Sequence, residues 1–381
     1  MIIMVTLIFT ATALVAFLDK ASTDLLVESR VIGNNRLRVD AYSALEVTLA
    51  VLQDFETANQ GPLYSPSEGW GDPLGWAQWT SPTEGHTVDV TFEDESGKIP
   101  LMKVGAAGLL NMFENWNMTQ NDAQHLADVL MVWRQQSYIP SVAPSPDYEQ
   151  SATPYDQPLR SMRSYDELAD IDYARDVFYD ADGRKNDLWW RFYSDFSLFN
   201  YAKPNINGTN QDILIGLGQY TETQMGSVAD FLAGRGDFAT PNPLGVQWFQ
   251  NPTQIKSVLG PSGKPGAFGF TISALRIIVT VHEGATQFRL AAVVAPAQGG
   301  ATTVQRTATD GKKNGGEDET GESAQVSLPG QITPLTNTSV PTSAQTNAAN
   351  SSALHFPFTI LDIRENSDIL TAPPPPPPPP S

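Results

Sequence analysis

The chain has no cysteine in 381 residues. Disulfides, thiolate metal centres and cysteine nucleophiles are therefore excluded. Positive charge is scarce, with 23 Lys and Arg against 42 Asp and Glu and a formal net charge of −19. Nucleic-acid binding rests on neutralising phosphates with Lys and Arg, so no nucleic-acid partner is expected. Histidine is limited to His86, His125, His282 and His355, which show no ligand spacing. The sequence also lacks Gly-x-Ser-x-Gly, His-Glu-x-x-His and a phosphate loop, so no catalytic constellation is indicated and the chain is read as non-enzymatic.

Charge of either sign is missing from Met1 to Leu18, where only three threonines interrupt apolar side chains. At about 1.5 Å per residue this run makes roughly 27 Å of helix, close to the roughly 30 Å hydrocarbon core of a bilayer. A cleaved signal peptide needs a basic stretch before the apolar run and small residues after it. Asp19, Lys20 and Asp24 follow instead, and the helical pattern continues. Residues 1–18 are accordingly read as a transmembrane anchor.

Beyond the anchor, Tyr42, Leu45, Leu49 and Leu52, flanked by Ala41, Ala44, Val51 and Phe55, form an amphipathic helical stripe. Gly61 to Gly85 is a loop rich in Gly, Pro and Trp. His86 to Asp94 alternates as a strand, with Val88, Val90 and Phe92 on one face. Helices are expected from Leu101 to Tyr138, with Thr119 as a cap, and from Ser164, whose spacing to Glu167 is that of a capping box. An aromatic-rich helix is expected over Asn186 to Tyr201, and a hairpin around His282-Glu283-Gly284-Ala285. Gln298 to Ser352 holds almost no large apolar side chain and is read as disordered. Strand character returns from His355 to Arg364, and Pro373 to Pro380 is a polyproline helix.

Glu93, Asp94 and Glu95 at the end of the first strand are candidate calcium ligands, since calcium takes about six to eight oxygens. The alternative is a solvated acidic turn with Lys98 paired to a neighbour. Asp180, Asp182 and Asp187 around Gly183 lack the closing Glu of an EF-hand and are read as a polar turn. Asn205, Asn207 and Thr209 are read as turn and cap residues. Trp133 is assigned to the core, and Arg134 to a local ion pair.

Four segments carry a family resemblance. Val90 to Leu101 (VTFEDESGKIPL), His125 to Gln135 (HLADVLMVWRQ), Lys203 to Leu217 (KPNINGTNQDILIGL) and Phe358 to Glu365 (FTILDIRE) resemble, in this order, blocks of the minor pseudopilin K of bacterial type II secretion systems. Val132 and Gln135 stand where that pattern has Asp, and Ile363 where it has Trp. The resemblance implies an α+β fold: a pilin-like long N-terminal helix on a small antiparallel sheet, with a large all-α insertion of two small helix-hairpin-helix or SAM-like units. The implied parts are the anchor (1–18), the first pilin-like part (19–99), the helical domain (100–260), a hairpin (261–297) and a final strand (354–366); a low-complexity insertion (298–353) and a proline-rich tail (367–381) lie outside the family pattern.

The resemblance also implies a single-pass inner-membrane protein with its bulk in the periplasm. It would cap the pseudopilus tip beside minor pseudopilins I and J, with the secretin or secreted substrates as further contacts. Shaft pilins carry a glutamate inside the apolar helix. Here the first carboxylate is Asp19, after the run, which agrees with a terminal position. Calcium binding in the pilin-like domain is likewise a property of the family. The family's basic, Gly-ending leader is expected upstream of Met1. The rival readings are a membrane-anchored envelope hydrolase with an acidic metal site and a pilin-like DNA-uptake component.

Overall fold

The computed structural model describes Lys20 and residues 33–59, 61–142, 144, 147–150, 154–238, 240, 243–260, 262–297, 300–303 and 358–370. The anchor run, the proline run and nearly all of the low-complexity insertion lie outside the described residues. Among the described residues no helix is long and apolar enough to cross a membrane.

Helix α1 covers residues 33–59. Its buried line is Leu37, Ala41, Ala44, Leu45 and Leu52, at the three- and four-residue steps of one helix face. Tyr42, Leu49 and Phe55 flank that line rather than lead it. A tryptophan-rich loop follows, carrying the short α2 (Pro73–Trp76), capped by the Asp72 side chain. Trp70 in this loop is fully buried and meets the Phe92 ring edge-on at 5.1 Å.

The first strand, β1 (His86–Glu93), shows the alternation expected of it. Then come β2 (Ile99–Pro100), α3 (Ala106–Asn115), α4 (Gln120–Arg134), α5 (Ala174–Phe178), α6 (Asp187–Asp195) and β3 (Phe196–Ser197). Helices α7 (Gln211–Gly216), α8 (Glu222–Leu232) and α9 (Pro252–Leu259) complete the helical lobe. The chain returns to the sheet through β4 (Leu275–Glu283), β5 (Thr286–Pro296) and β6 (Phe358–Glu365).

The sheet has the order β1-β4-β5-β6 and every neighbour is antiparallel. Gly284 turns the β4–β5 hairpin at φ 58°, a left-handed conformation suited to a two-residue hairpin loop. One sheet face, built by Leu275, Ile277, Val279, Val281, Leu290, Ala292 and Val294, packs on α1. The small Ala41 and Ala44 admit close approach of the helix. The end of β6 is pinned to α1 where Tyr42 Oη donates to Glu365 Oε1 at 2.8 Å and Arg38 Nε donates to the same atom at 2.9 Å.

The helical lobe has its own core, centred on Phe113, Phe178, Trp189, Phe192 and Phe196, all fully buried. Thr119 caps α4 and Ser164 closes its capping box with Glu167, as expected, although the latter turn is 3-10. Three sequence expectations change. The aromatic helix stops at Asp195, because Phe196 and Ser197 pair in parallel with Ile99 and Pro100, so the lobe is not wholly helical. Residues 300–303 at the head of the low-complexity segment are held: Ala301 is buried, and Asn200 and Thr302 exchange backbone hydrogen bonds of 2.8 and 2.9 Å. Among the described residues Arg134 forms no ion pair; its guanidinium donates to the Leu101 and Val104 carbonyls, tying α4 to the β2 exit.

Candidate functional site at the seam between sheet and lobe

The acidic triplet sits where β1 leaves the sheet for the helical lobe. Register sets Glu93 directly opposite Arg276 of β4. Glu93 Oε1 lies 2.7 Å from Lys98 Nζ, and Glu93 Oε2 lies 3.2 Å from Arg276 Nε. Glu95 is fully buried, with Oε2 3.1 Å from Lys98 Nζ and 2.7 Å from Arg276 Nη2. Two carboxylates and two cations thus close a neutral quartet, with Lys98 Nζ also 4.4 Å above the Tyr193 ring. Burial alone raises the Glu95 pKa, but Lys98 and Arg276 outweigh it and hold it down at about 2. Burial likewise opposes the charge of Lys98, and Glu95 and Glu93 reverse that and raise its pKa.

Asp94 points elsewhere. It accepts from Ser96 Oγ at 2.6 Å and from Asn205 Nδ2 at 2.7 Å. Asn205, itself fully buried, also donates to the Tyr64 carbonyl at 3.0 Å. Thr209 Oγ1 donates to Gly97 O at 2.9 Å, and Asn207 Nδ2 donates to Phe249 O and Phe270 O. The two backbones come so close here that a Cβ on Gly97 would lie 2.3 Å from Gly208 O. The Asn205–Thr209 turn is therefore a hub tied to four other chain segments, at Tyr64, Asp94–Gly97, Phe249 and Phe270, a wider role than the turn and cap read from the sequence. The cap of α7 is Asn210, not Thr209: Asn210 Oδ1 accepts from Ile213 N at 3.0 Å.

These residues do not fit the calcium ion expected at Glu93, Asp94 and Glu95. Calcium wants several oxygens converging on one point. Here Glu93 and Glu95 converge on Lys98 and Arg276, whose charges already fill that point and would repel a divalent ion, and Asp94 turns towards Asn205. Among the described residues no group of three or more His, Cys, Asp or Glu is set to hold a metal. Asp180 accepts from the backbone N–H of Asp182 and Arg184, so that acidic turn closes on itself. Asp128, fully buried, accepts from Gln124, Tyr138 Oη and the N–H groups of Ser141 and Val142, which anchors the loop after α4. Trp133 is buried in the lobe core as assigned. Arg276 is the residue that sequence inspection passed over. Its signal was an arginine amid the apolar run from Leu275 to Val281, a position that demands an acid across the sheet.

Burial raises the Asp94 carboxyl to about pH 7 against its hydrogen bonds from Ser96 and Asn205. A carboxyl whose folded pKa is raised binds its proton in the folded state while the unfolded chain has lost it. Stability then declines as pH rises from the unfolded value of 3.8 through about 7. The isosteric Asp94→Asn variant removes that decline. Its melting temperature relative to the parent is expected to climb between pH 4 and pH 8, and a parallel pair of profiles would refute the assignment.

No family model matches the chain, and no curated protein matches it. Among solved structures, it is similar to a chain of the crystal structure of the GspK-GspI-GspJ complex from the enterotoxigenic Escherichia coli type 2 secretion system. The identity is 12%, the match covers 71% of this chain and 93% of that one, and the TM-score is 0.48.

Proposed function

We propose that this chain is a minor pseudopilin that caps the tip of a type II secretion pseudopilus and aids protein export across the outer membrane. The observation that supports the reading is where the family-like segments fall. Segments 90–101 and 203–217 meet each other through Asp94–Asn205 and Gly97–Thr209, at the junction that splices a helical lobe into a helix-on-sheet body. Segment 358–365 supplies β6 and, through Glu365, its tie to α1. A bulky lobe grown from the strand ends would block a further subunit from stacking above it, while α1 would serve neighbours below. The partners in this reading are minor pseudopilins I and J, with the secretin or secreted substrates as further contacts. Residues 1–18 span the inner membrane and the rest lies in the periplasm. No catalytic step is assigned.

Deleting the gene in its own cells is expected to strand type II substrates in the periplasm, and the full-length gene is expected to restore export. The full chain is also expected to co-purify with the pilin-like proteins encoded beside it. Normal export in the deletion strain, together with no such co-purification, would sink the reading.

A further inference from the structure

Pro373 to Pro380 is an unbroken proline run, and no charged residue lies between Leu370 and its end. Proline has no N–H, so the run offers ring faces and carbonyl acceptors but no donor. Sites that recognise such a helix supply aromatic rings for the prolines and donors for the carbonyls.

The loop region after α4 holds those parts. A cavity of about 400 Å³ there is lined by Gln136, Tyr148, Tyr155, Gln157 and Leu159, together with three exposed acids. The Tyr148 and Tyr155 rings lie 5.1 Å apart, tilted at 38°, and Trp133 meets them edge-on at 5.6 and 6.3 Å. Gln157 Nε2 is buried and has no hydrogen-bond partner among the described residues. A buried donor left unpaired is costly, and a proline carbonyl laid against it would supply the acceptor. Leu159 adopts φ 45°, uncommon for a leucine, and stands 40% exposed at the cavity. No Lys or Arg lines the cavity, and the acids disfavour an anion. One of them, Asp147, is already taken up by Gln150 Nε2 at 2.6 Å and the Glu149 N–H at 3.2 Å.

The point at which the described chain stops puts the run within reach. Leu370 packs on the core of the lobe and shares the lining of a second cavity with Arg163. Leu159 lies within about 14 Å of Arg163, since four extended residues span no more. Eight prolines at about 3.1 Å each extend roughly 25 Å.

We propose that Pro373–Pro380 docks in the Tyr148–Tyr155 cavity of its own chain. The run is preformed by its own backbone limits, so docking orders little that was free. The short Thr371–Ala372 link keeps it near the cavity at an effective concentration of about a millimolar, so a Kd of the same order half-fills the site. The inference does not rest on the secretion reading, and an export phenotype bears on none of the outcomes below.

The test is calorimetric titration of the full chain in a non-ionic detergent with N-acetyl-octaproline amide, and with an N-acetylated, amidated Gly-Ser octapeptide as the control. A tail variant carries Gly-Ser repeats in place of Pro373–Pro380. It is expected to bind octaproline, while the parent, its cavity held by its own tail, binds about threefold or more weakly. Neither should bind the control. Leu159→Lys in the tail variant should weaken octaproline binding about tenfold or more, yet melt as the tail variant does, because the side chain is already exposed. Equal binding by parent and tail variant, no binding by the tail variant, equal binding of both peptides, or undiminished affinity in Leu159→Lys would overturn the proposal. A dimer of the parent that dissociates in the tail variant would give the run to a second copy and overturn the intramolecular contact.

Discussion

Replacing Arg276 with Met is expected to cost about 3–5 kcal/mol of folding stability, the largest loss of any single substitution at the seam. The wild-type quartet sums to zero, with Glu93 and Glu95 against Lys98 and Arg276. Without the guanidinium, Glu95 stays fully buried with only Lys98 to oppose it. Urea unfolding followed by tryptophan fluorescence would register a clearly lower midpoint. The compensating test is the pair Arg276→Met with Glu95→Gln, which removes one charge of each sign. That pair should be less destabilised than the sum of its single changes, by about 1–3 kcal/mol of coupling. An unchanged midpoint in Arg276→Met, or strict additivity, would refute the quartet as a unit. Glu95 also fixes the acid limit. Its folded pKa is depressed to about 2 from 4.5, so its contribution is complete above about pH 4.5 and is lost as pH falls towards 2.

The second large effect is expected at Asn207. Its Nδ2 donates to Phe270 O at 2.9 Å, Phe249 O at 3.0 Å and Asn205 Oδ1 at 3.2 Å, while its Oδ1 accepts from Phe249 N at 2.7 Å. Asn207→Asp sets a carboxylate oxygen against three acceptors. It should lower stability by about 3 kcal/mol at pH 7, through lost hydrogen bonds and an unpaired charge. The deficit should shrink at pH 4, because protonation of the new carboxyl restores one donor. Asn207→Ala loses the bonds without adding charge, so it should be milder and nearly independent of pH. If the Asp and Ala variants unfold alike at pH 7, the hub account of this turn fails.

Several elements were legible because their signals are local. The period-two pattern over His86–Glu93, the paired apolar runs around Gly284, the capping spacings at Thr119 and Ser164, and the α1 stripe each need only a short window of chain. What was not legible depends on residues far apart in sequence. Glu95 looked like a metal ligand because its cation partner Arg276 is 181 positions away. Arg134 looked like one half of an ion pair because the carbonyls it holds, Leu101 and Val104, carry no side-chain signal. The helix from Asp187 was drawn too long because Phe196 and Ser197 are as compatible with a helix as with the backbone pairing that β2 offers them.

The splice of the lobe between β1 and β4 also governs the order in which the molecule can fold. Strand β1 cannot pair with β4 until a further 180 or so residues have been made, so this contact is highly non-local. The helical lobe can condense first and bring Glu93 and Arg276 to the same side. Until then α1 and β1 present Leu37, Leu45, Leu52, Val90 and Phe92 without their sheet. Nascent chains stopped before Leu275 should therefore be the aggregation-prone species and the ones on which chaperones act.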